Sequence, residues 1–142
     1  MQEGTLKDTG CLYEKNAASK GGVMYLEAST IDTTDSIFSQ NYGNEGFALY
    51  LTSQSTIIST NTIYTKNKGF LAGAEESKSL GAVYVSGMSW GEFTGGEFTY
   101  NESQSDGSAL EIVQSSLVFS NYKSTRCFII LGSNCLFSRC SL

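Results

Sequence analysis

The sequence predicts an all-β protein, a parallel β-helix solenoid of about five to six coils, and three observations support this prediction. A two-part motif recurs five times, and a sixth copy begins near the end of the chain. The segments around it are short, rich in β-branched and aromatic residues, and bounded by Gly, Ser and Asn, as is typical of strands and tight turns. No window of a dozen residues keeps the 3.6-residue period of an amphipathic helix. Self-similarity of this kind is typical of a solenoid, in which each repeat contacts only its neighbours.

The first part of the motif is an aromatic or aliphatic residue three positions before an Asn. Its copies are Tyr13–Asn16, Phe38–Asn41, Tyr64–Asn67, Phe98–Asn101 and Val118–Asn121, and in the sixth copy Cys140 replaces the Asn. Asn tolerates the left-handed backbone of a tight bend, and its amide can bond the equivalent Asn one coil away. The sequence therefore predicts an internal asparagine ladder of Asn16, Asn41, Asn67, Asn101 and Asn121.

The second part is a segment of small and apolar residues. Its copies end at Tyr25, Tyr50, Tyr84, Glu111 and Ile130. The distance between the two parts is 12 or 13 residues except in the third copy, where it is 20, so that copy carries an insertion of eight within residues 68–79. The distance from the second part of one copy to the first part of the next is 13 or 14 residues in the early copies and seven in the last ones. The period of the repeat accordingly falls from 25–26 residues to 19. We expect the last coils to have lost a strand's worth of residues there.

The two parts together resemble the GG-A-[ILV] and F-x-x-N repeats of the polymorphic outer-membrane protein family of bacterial autotransporters. They also resemble similar repeats in large surface proteins of single-celled eukaryotes. The resemblance covers roughly residues 11–142, although only Gly21-Gly22 preserves both glycines and Val118 replaces the aromatic residue. It implies a right-handed parallel β-helix of the pectin-lyase type in an extracellular or cell-surface protein.

Composition excludes some classes of partner. Only 16% of the residues are charged, the net charge is −5, and the nine basic residues are scattered. Phosphate binding needs a concentrated basic patch, so we expect no nucleic-acid partner. No stretch of 18 apolar residues occurs, so no membrane-spanning segment is predicted. Residues 1–142 are interpreted as a single β-helix segment, and because they stop just after a repeat has begun, we expect an excerpt of a longer polypeptide or ends covered by neighbouring chains.

The inventory of reactive side chains argues against an enzyme. The absence of His excludes Ser-His-Asp, Cys-His and His-based zinc chemistry. Glycoside hydrolases need two carboxylates within roughly 5 to 10 Å of each other. Asp32 and Asp35 lie in one turn, but the neighbouring coils offer no matching acid. A lyase would need an Arg base beside calcium-binding acids, but Arg126 and Arg139 lie where carboxylates are few. We therefore predict no catalytic residue, no cofactor and no metal.

The four cysteines are unevenly placed, with Cys11 near the start and Cys127, Cys135 and Cys140 near the end. Cys11 and Cys135 occupy the same repeat position but lie about five rungs apart, on the order of 24 Å, so they cannot pair. One disulfide among Cys127, Cys135 and Cys140 is geometrically possible. The alternative is that they are small buried hydrophobic residues. No C-x-x-C pair exists to bind zinc.

Two further features have open alternatives. The insertion within residues 68–79 combines Phe70 and Leu71 with Glu75 and Glu76, which suits either a contact arm or a tolerated excursion. The sequence Asn101-Glu-Ser103 is an N-glycosylation sequon, but the predicted ladder turns the Asn101 amide inward. Threonine-rich edges could form a flat ice-facing or carbohydrate-facing sheet, yet their spacing does not alternate strictly.

These observations predict an extracellular structural or adhesive solenoid segment, a stiff scaffold that also provides inter-chain contacts. Its expected partners are further coils of the same protein or neighbouring chains, and glycans in the alternative interpretation. In that alternative the chain is a carbohydrate-binding module, for which Tyr25, Tyr50 and Tyr84 are the candidate row. A third interpretation is part of a polysaccharide-degrading enzyme whose active site lies outside this segment.

Overall fold

Every regular element in the described part of the chain is a β-strand. The computed structural model describes residues 2–69, 81–103, 109–125 and 129–138, with side chains as far as residue 124. The strands within these ranges are β1 (Thr5–Thr9), β2 (Leu12–Glu14), β3 (Met24–Glu27), β4 (Thr30–Thr34), β5 (Ile37–Ser39), β6 (Tyr42–Gly43), β7 (Leu49–Thr52), β8 (Thr56–Thr65), β9 (Lys68–Gly69), β10 (Val83–Val85), β11 (Trp90–Thr99), β12 (Leu110–Ser120), β13 (Lys123–Thr125) and β14 (Ile129–Ser138).

The strands pair in parallel from one coil to the next and form a β-solenoid of about four turns. Successive turns begin at Thr5, Thr30, Thr56 and Trp90, which pair in one column, and a further, partly described coil begins at Ser116. The predicted all-β, parallel solenoid is therefore confirmed. The number of turns is slightly below the five to six predicted.

The second parts of the repeat stack as their alignment predicts. Tyr25 pairs with Tyr50, Tyr50 with Tyr84, Tyr84 with Glu111, and Glu111 with Ile130. These five residues define a column on β3, β7, β10, β12 and β14. The 19-residue spacing from Glu111 to Ile130 is thus a true shortening of the coil.

The shortening lies in a different arc from the one predicted. Phe98 pairs with Ser124, whereas Val118, taken as its equivalent in the sequence, pairs with Glu92. Thr99 and Leu110 are 11 residues apart, and their partners in the next coil, Thr125 and Ile129, are only four apart. The insertion in the third coil and the shortening in the last coil therefore lie in the same arc, the one that follows the asparagine corner.

The core changes in chemistry along the solenoid axis. One inward column of paired residues reads Asp8, Thr33, Ser59, Phe93 and Phe119 from the first coil to the fifth. A second column, Tyr13, Phe38, Tyr64 and Phe98, forms a stack with ring centroids 4.6, 5.0 and 4.8 Å apart. The second and third coils thus combine aromatic packing with the buried hydroxyl groups of Thr33 and Ser59, while the fourth coil has aromatic rings, Phe93 and Phe98, at both positions.

Left-handed backbone residues make the corners of each coil. One corner consists of Gly10, Asp35, Asn61, Gly95 and Asn121, and the next of Lys15, Gln40, Lys66 and Tyr100, all with φ between 50° and 65°. In the second corner the left-handed residue is the one before each ladder Asn, so the prediction that the Asn itself takes this conformation is wrong. The bend one position earlier places the Asn amide on the inner side of the corner.

Candidate functional site

Four of the five asparagines predicted to form a ladder lie in one hydrogen-bonded column. Asn41 Oδ1 accepts bonds from the backbone N–H and Nδ2 of Asn16, at 3.0 and 3.1 Å. Asn67 Oδ1 accepts the same pair from Asn41, both at 3.0 Å. Asn101 Oδ1 accepts them from Asn67, at 2.9 and 3.0 Å. The side-chain dipoles consequently point in one direction across four coils.

The remaining amide hydrogens are used by backbone carbonyls. Nδ2 of Asn41 donates to Tyr13 O at 3.0 Å, and Nδ2 of Asn67 donates to Phe38 O at 3.0 Å. Asn41, Asn67 and Asn101 are at most 2% exposed. Buried amides are costly unless bonded, and each inner amide here has its donors and acceptor satisfied. The column therefore joins neighbouring coils both through side chains and through backbone.

Asn121 does not belong to this column. It is exposed and left-handed, with φ 53°, at the corner that also contains Asn61 and Gly95. At that corner Asn61 Nδ2 donates to Asp35 Oδ1 at 3.2 Å on the surface. The Val118-Phe-Ser-Asn121 segment resembles the repeat in sequence but not in position, since Val118 pairs with Glu92, six residues before the predicted partner Phe98.

The ladder also bears on the glycosylation sequon at Asn101. The Asn101 side chain is 2% exposed, its Oδ1 accepts two bonds and its Nδ2 donates to Tyr64 O at 2.9 Å. Attachment of a glycan would require this amide to leave the core. The folded solenoid therefore does not offer Asn101 as an acceptor.

A serine ladder, not predicted from the sequence, runs along another corner. Its members Ser29, Ser55, Ser89 and Ser115 are all buried. Each Oγ accepts the backbone N–H of the equivalent residue one coil earlier, at distances of 3.0 to 3.2 Å. Each Oγ also donates to a carbonyl in its own coil. Small hydroxyl side chains thus repeat the function of the Asn amides in less space.

The tyrosine row forms a continuous stack on the outer side of β3, β7 and β10. Ring centroids of Tyr25 and Tyr50 are 5.2 Å apart, and those of Tyr50 and Tyr84 are 4.9 Å apart. Lys20 Nζ lies 5.0 Å from the Tyr50 centroid and forms an ion pair with Glu45 at 3.1 Å. Burial raises the pKa of the Tyr50 and Tyr84 phenols. Because the ring faces cover one another, little of the inner face area is available to a ligand.

Asp8 and Asp32 are engaged in structural contacts. Asp8 accepts hydrogen bonds from Tyr13 Oη at 3.0 Å, Thr33 Oγ1 at 2.8 Å and Ser36 Oγ. Burial and the hydrogen bond to Asp8 raise the pKa of Tyr13. Asp32 forms a surface ion pair with Lys7 at 3.3 Å. No group of three or more Cys, Asp or Glu side chains suited to a metal occurs among the described residues.

A surface groove crosses three coils beside the asparagine corner. This corner groove has a volume of about 360 Å³ and is lined by Gln40, Tyr42, Lys66, Lys68, Tyr100 and Glu102. Tyr42, Lys68 and Glu102 follow one another in one column, and Lys68 Nζ contacts Glu102 Oε2 at 2.8 Å. Tyr100 is 47% exposed and occupies the left-handed corner position, with φ 55°. The sequence interpretation missed this groove because its residues belong to three separate coils.

A second depression adjoins the corner groove and shares Tyr42 with it. It has a volume of about 520 Å³ and is lined by Ala17, Ala18, Ser19, Tyr42, Gly43 and Asn44. Most of these side chains are small, so the depression is set by the backbone of the coil corners. Tyr42 therefore borders both depressions.

Several predicted residues lie outside the described part of the chain. These are the proposed contact residues Phe70, Leu71, Glu75 and Glu76, and the cysteines Cys127 and Cys140. Cys135 is described as backbone within β14, where it pairs with Leu117. The proposed disulfide and contact loop therefore stay predictions.

The comparisons with known proteins identify no relative. No protein-family model, no curated protein and no solved structure matches the chain. Among the described residues there is no helix of the length and apolar character needed to cross a membrane. The class of protein is therefore defined by the fold alone: a parallel β-solenoid with internal asparagine and serine ladders.

Proposed function

We propose that this chain is an extracellular structural or adhesive solenoid segment, a stiff scaffold that also makes contacts with further coils or neighbouring chains. The observation that carries the proposal is the asparagine column, which bonds four successive coils through buried amides. Such bonds lie along the solenoid axis and oppose separation of the coils. Buried hydrogen bonds are stronger in a low-dielectric interior than at the surface, so a continuous column suits a load-bearing element.

The family relationship is part of the same proposal. The Asn of the F-x-x-N motif is a ladder residue at Asn41, Asn67 and Asn101. This gives the resemblance to polymorphic outer-membrane protein repeats a physical basis. We infer a pectin-lyase-like, right-handed β-helix at the cell surface on these grounds. Serine and tyrosine columns add to the inter-coil contacts, as a structural role requires.

A glycan-binding role based on the tyrosine row has less support. Stacked rings 4.9 to 5.2 Å apart present edges to solvent, whereas a sugar packs on a ring face. Tyr50, at the centre of the row, is only 9% exposed. The row therefore supports a scaffold better than a sugar-binding platform.

A single-molecule pulling experiment tests the scaffold. With the chain held at its two ends, we expect coils to detach one at a time, and replacement of Asn67 by Leu to lower the detachment force of the neighbouring coils. Equal forces in both proteins would argue against a load-bearing ladder. Antibodies against the chain should label intact cells of its source, and labelling only after permeabilisation would contradict the surface location.

A further inference from the structure

We propose that the outer end of the first coil binds a β-coil of another polypeptide, one that carries a Ser or Thr, an aromatic residue five positions later and an Asn three positions after that. We call this end the first-coil face, and its residues are Leu6, Asp8, Tyr13 and Asn16. The proposal rests on the contact-making part of the proposed function and deepens it by naming the surface and the chemistry of the partner. The stiffness of the scaffold does not depend on it.

The first-coil face is open in the described part of the chain. There, β1 pairs only with β4 and β2 only with β5, so the outer edges of both strands carry no partner strand. The inward residues of the first coil are partly exposed, whereas their partners in the second coil are completely buried; the pairs are Leu6 with Ile31, Asp8 with Thr33, and Tyr13 with Phe38. Edges of this kind bind a further strand through backbone hydrogen bonds.

The polarity of the asparagine ladder determines which groups the face lacks. At each step of the ladder, Oδ1 accepts the backbone N–H and Nδ2 of the Asn one coil earlier. Asn16 is the first member, and its Oδ1 accepts no hydrogen bond from the described residues, although its N–H and Nδ2 both donate. It is exposed, whereas Asn41 is completely buried. An Asn in register on an added coil would supply both missing donors.

Asp8 determines the residue required in a second column. Its Oδ1 accepts hydrogen bonds from Thr33 Oγ1 and Ser36 Oγ, and its Oδ2 accepts one from Tyr13 Oη at 3.0 Å. A carboxylate offers about four acceptor sites, so roughly one is left for a partner. An added coil would bury this charge, and burial of a charge is costly unless the charge is hydrogen-bonded. The partner therefore needs a hydroxyl, and not an apolar side chain, opposite Asp8.

The spacing of the partner's motif follows from the stacking register. Parallel coils align residue by residue, and Asp8, Tyr13 and Asn16 are spaced by five and then three positions. The hydroxyl, the aromatic ring and the Asn of the partner need the same spacing. The aromatic ring would extend the stack that Tyr13 forms on Phe38, with ring centroids 4.6 Å apart. The second and third coils contain this motif, as Thr33, Phe38 and Asn41 and as Ser59, Tyr64 and Asn67.

Neither these internal coils nor a second copy stacked head to tail suits the first-coil face. The second and third coils are already paired on both sides. In the last described strand, β14, Phe137 pairs with Phe119, so a head-to-tail copy would place an aromatic residue in register with Asp8. Inward-pointing charges on edge strands oppose self-pairing of this kind. A coil of another polypeptide meets both requirements.

Titration of the whole chain with a fluorescently labelled peptide tests the proposal. The probe is a 26-residue peptide with the sequence of residues 29–54, one complete coil that carries the motif. We expect saturable binding of one peptide per chain, and at least about a tenfold loss of affinity for peptides with Asn41→Leu or Thr33→Val. The matched control is the peptide with Asn44→Leu, because Asn44 lies outside the motif and its replacement should leave the affinity unchanged.

Substitutions in the chain itself locate the binding site. Asn16→Leu should lower the affinity for the unaltered peptide at least about tenfold, because the free Oδ1 acceptor is lost. Asn44→Leu in the chain should leave it unchanged. The peptide variants require no change in the chain, so they decide the question even if the Asn16→Leu chain does not fold.

Four results would overturn the proposal. They are no saturable binding up to millimolar peptide, equal binding of a scrambled peptide of the same composition, equal affinity of the Asn41→Leu peptide, and full binding by a folded Asn16→Leu chain. Dimerisation of the unaltered chain that excludes the peptide would also overturn it, by assigning the face to a second copy. Failure of peptide binding with an intact pulling response would remove the partner and leave the scaffold.

Discussion

Tyr122 Oη donates a hydrogen bond to the carbonyl oxygen of Thr62, 60 residues earlier in the chain, at 3.1 Å. Gly96 lies at the equivalent position in the coil between them, paired with Thr62. A Cβ on Gly96 would lie 2.3 Å from that same carbonyl oxygen, and its φ is 93°. The missing side chain at Gly96 therefore lets the phenol of one coil reach the backbone two coils away.

Replacement of Gly96 by Ala should be strongly destabilising. The added methyl group would overlap the Thr62 carbonyl and displace the Tyr122 hydroxyl, so we expect a loss of about 3 kcal/mol or more in the free energy of unfolding. Gly10→Ala is the matched control, since Gly10 is also left-handed but has nothing within 4 Å of the added Cβ. That variant should lose only the cost of a left-handed Ala backbone, roughly 1 to 2 kcal/mol. Equal losses in urea unfolding would show that backbone conformation alone, and not the close approach, decides the cost.

Replacement of Asn67 by Leu should also destabilise the solenoid. It leaves the Asn41 N–H and amide without the Asn67 acceptor and removes one donor from Phe38 O, for a loss on the order of 1 to 3 kcal/mol. Asn44→Leu is the control, because Asn44 lies outside the ladder. Similar free energies of unfolding for the two variants would contradict the importance of the ladder.

The F-x-x-N motif was sufficient to predict the ladder in the four coils where its aromatic residue belongs to the aromatic stack, at Tyr13, Phe38, Tyr64 and Phe98. They failed at Asn121 because strand register, which the sequence does not state, places Phe98 beside Ser124. The apolar character of Val118 alone does not indicate whether its side chain points into the core or outward.

The serine ladder was missed for a different reason. A single Ser carries no periodic pattern, and serines are common throughout this chain. One signal was present, since Ser29, Ser55 and Ser89 each precede the stacked aromatic residue by nine positions. The corner groove gave no such signal, because its six residues meet only when three coils stack.

The serine ladder gives a third prediction. Ser55→Ala removes the acceptor of the buried Ser29 N–H, so we expect a loss of about 1 to 2 kcal/mol in the free energy of unfolding. Ser120→Ala removes a partly buried hydroxyl that contacts Thr94 Oγ1 at 3.1 Å and should cost less than about 0.5 kcal/mol. Chemical denaturation of both variants makes the comparison. Losses of the same size would mean that the Ser55 hydroxyl is not needed.

The last prediction concerns alkaline pH. Burial raises the pKa of Tyr64 above the ordinary value of 10.0, so the unfolded chain loses this proton before the folded chain does. Stability from the neutral phenol is complete below pH 10 and falls as pH rises above it, by up to about 1.4 kcal/mol per pH unit for one group. Tyr64→Phe should therefore flatten the decline in the free energy of unfolding between roughly pH 10 and 11.5. Ser59→Ala loses the same Tyr64–Ser59 hydrogen bond but keeps the titrating phenol, so its decline should stay as steep as in the unaltered protein. Parallel pH profiles for Tyr64→Phe and Ser59→Ala would contradict a contribution of the Tyr64 phenol to the loss of stability at alkaline pH.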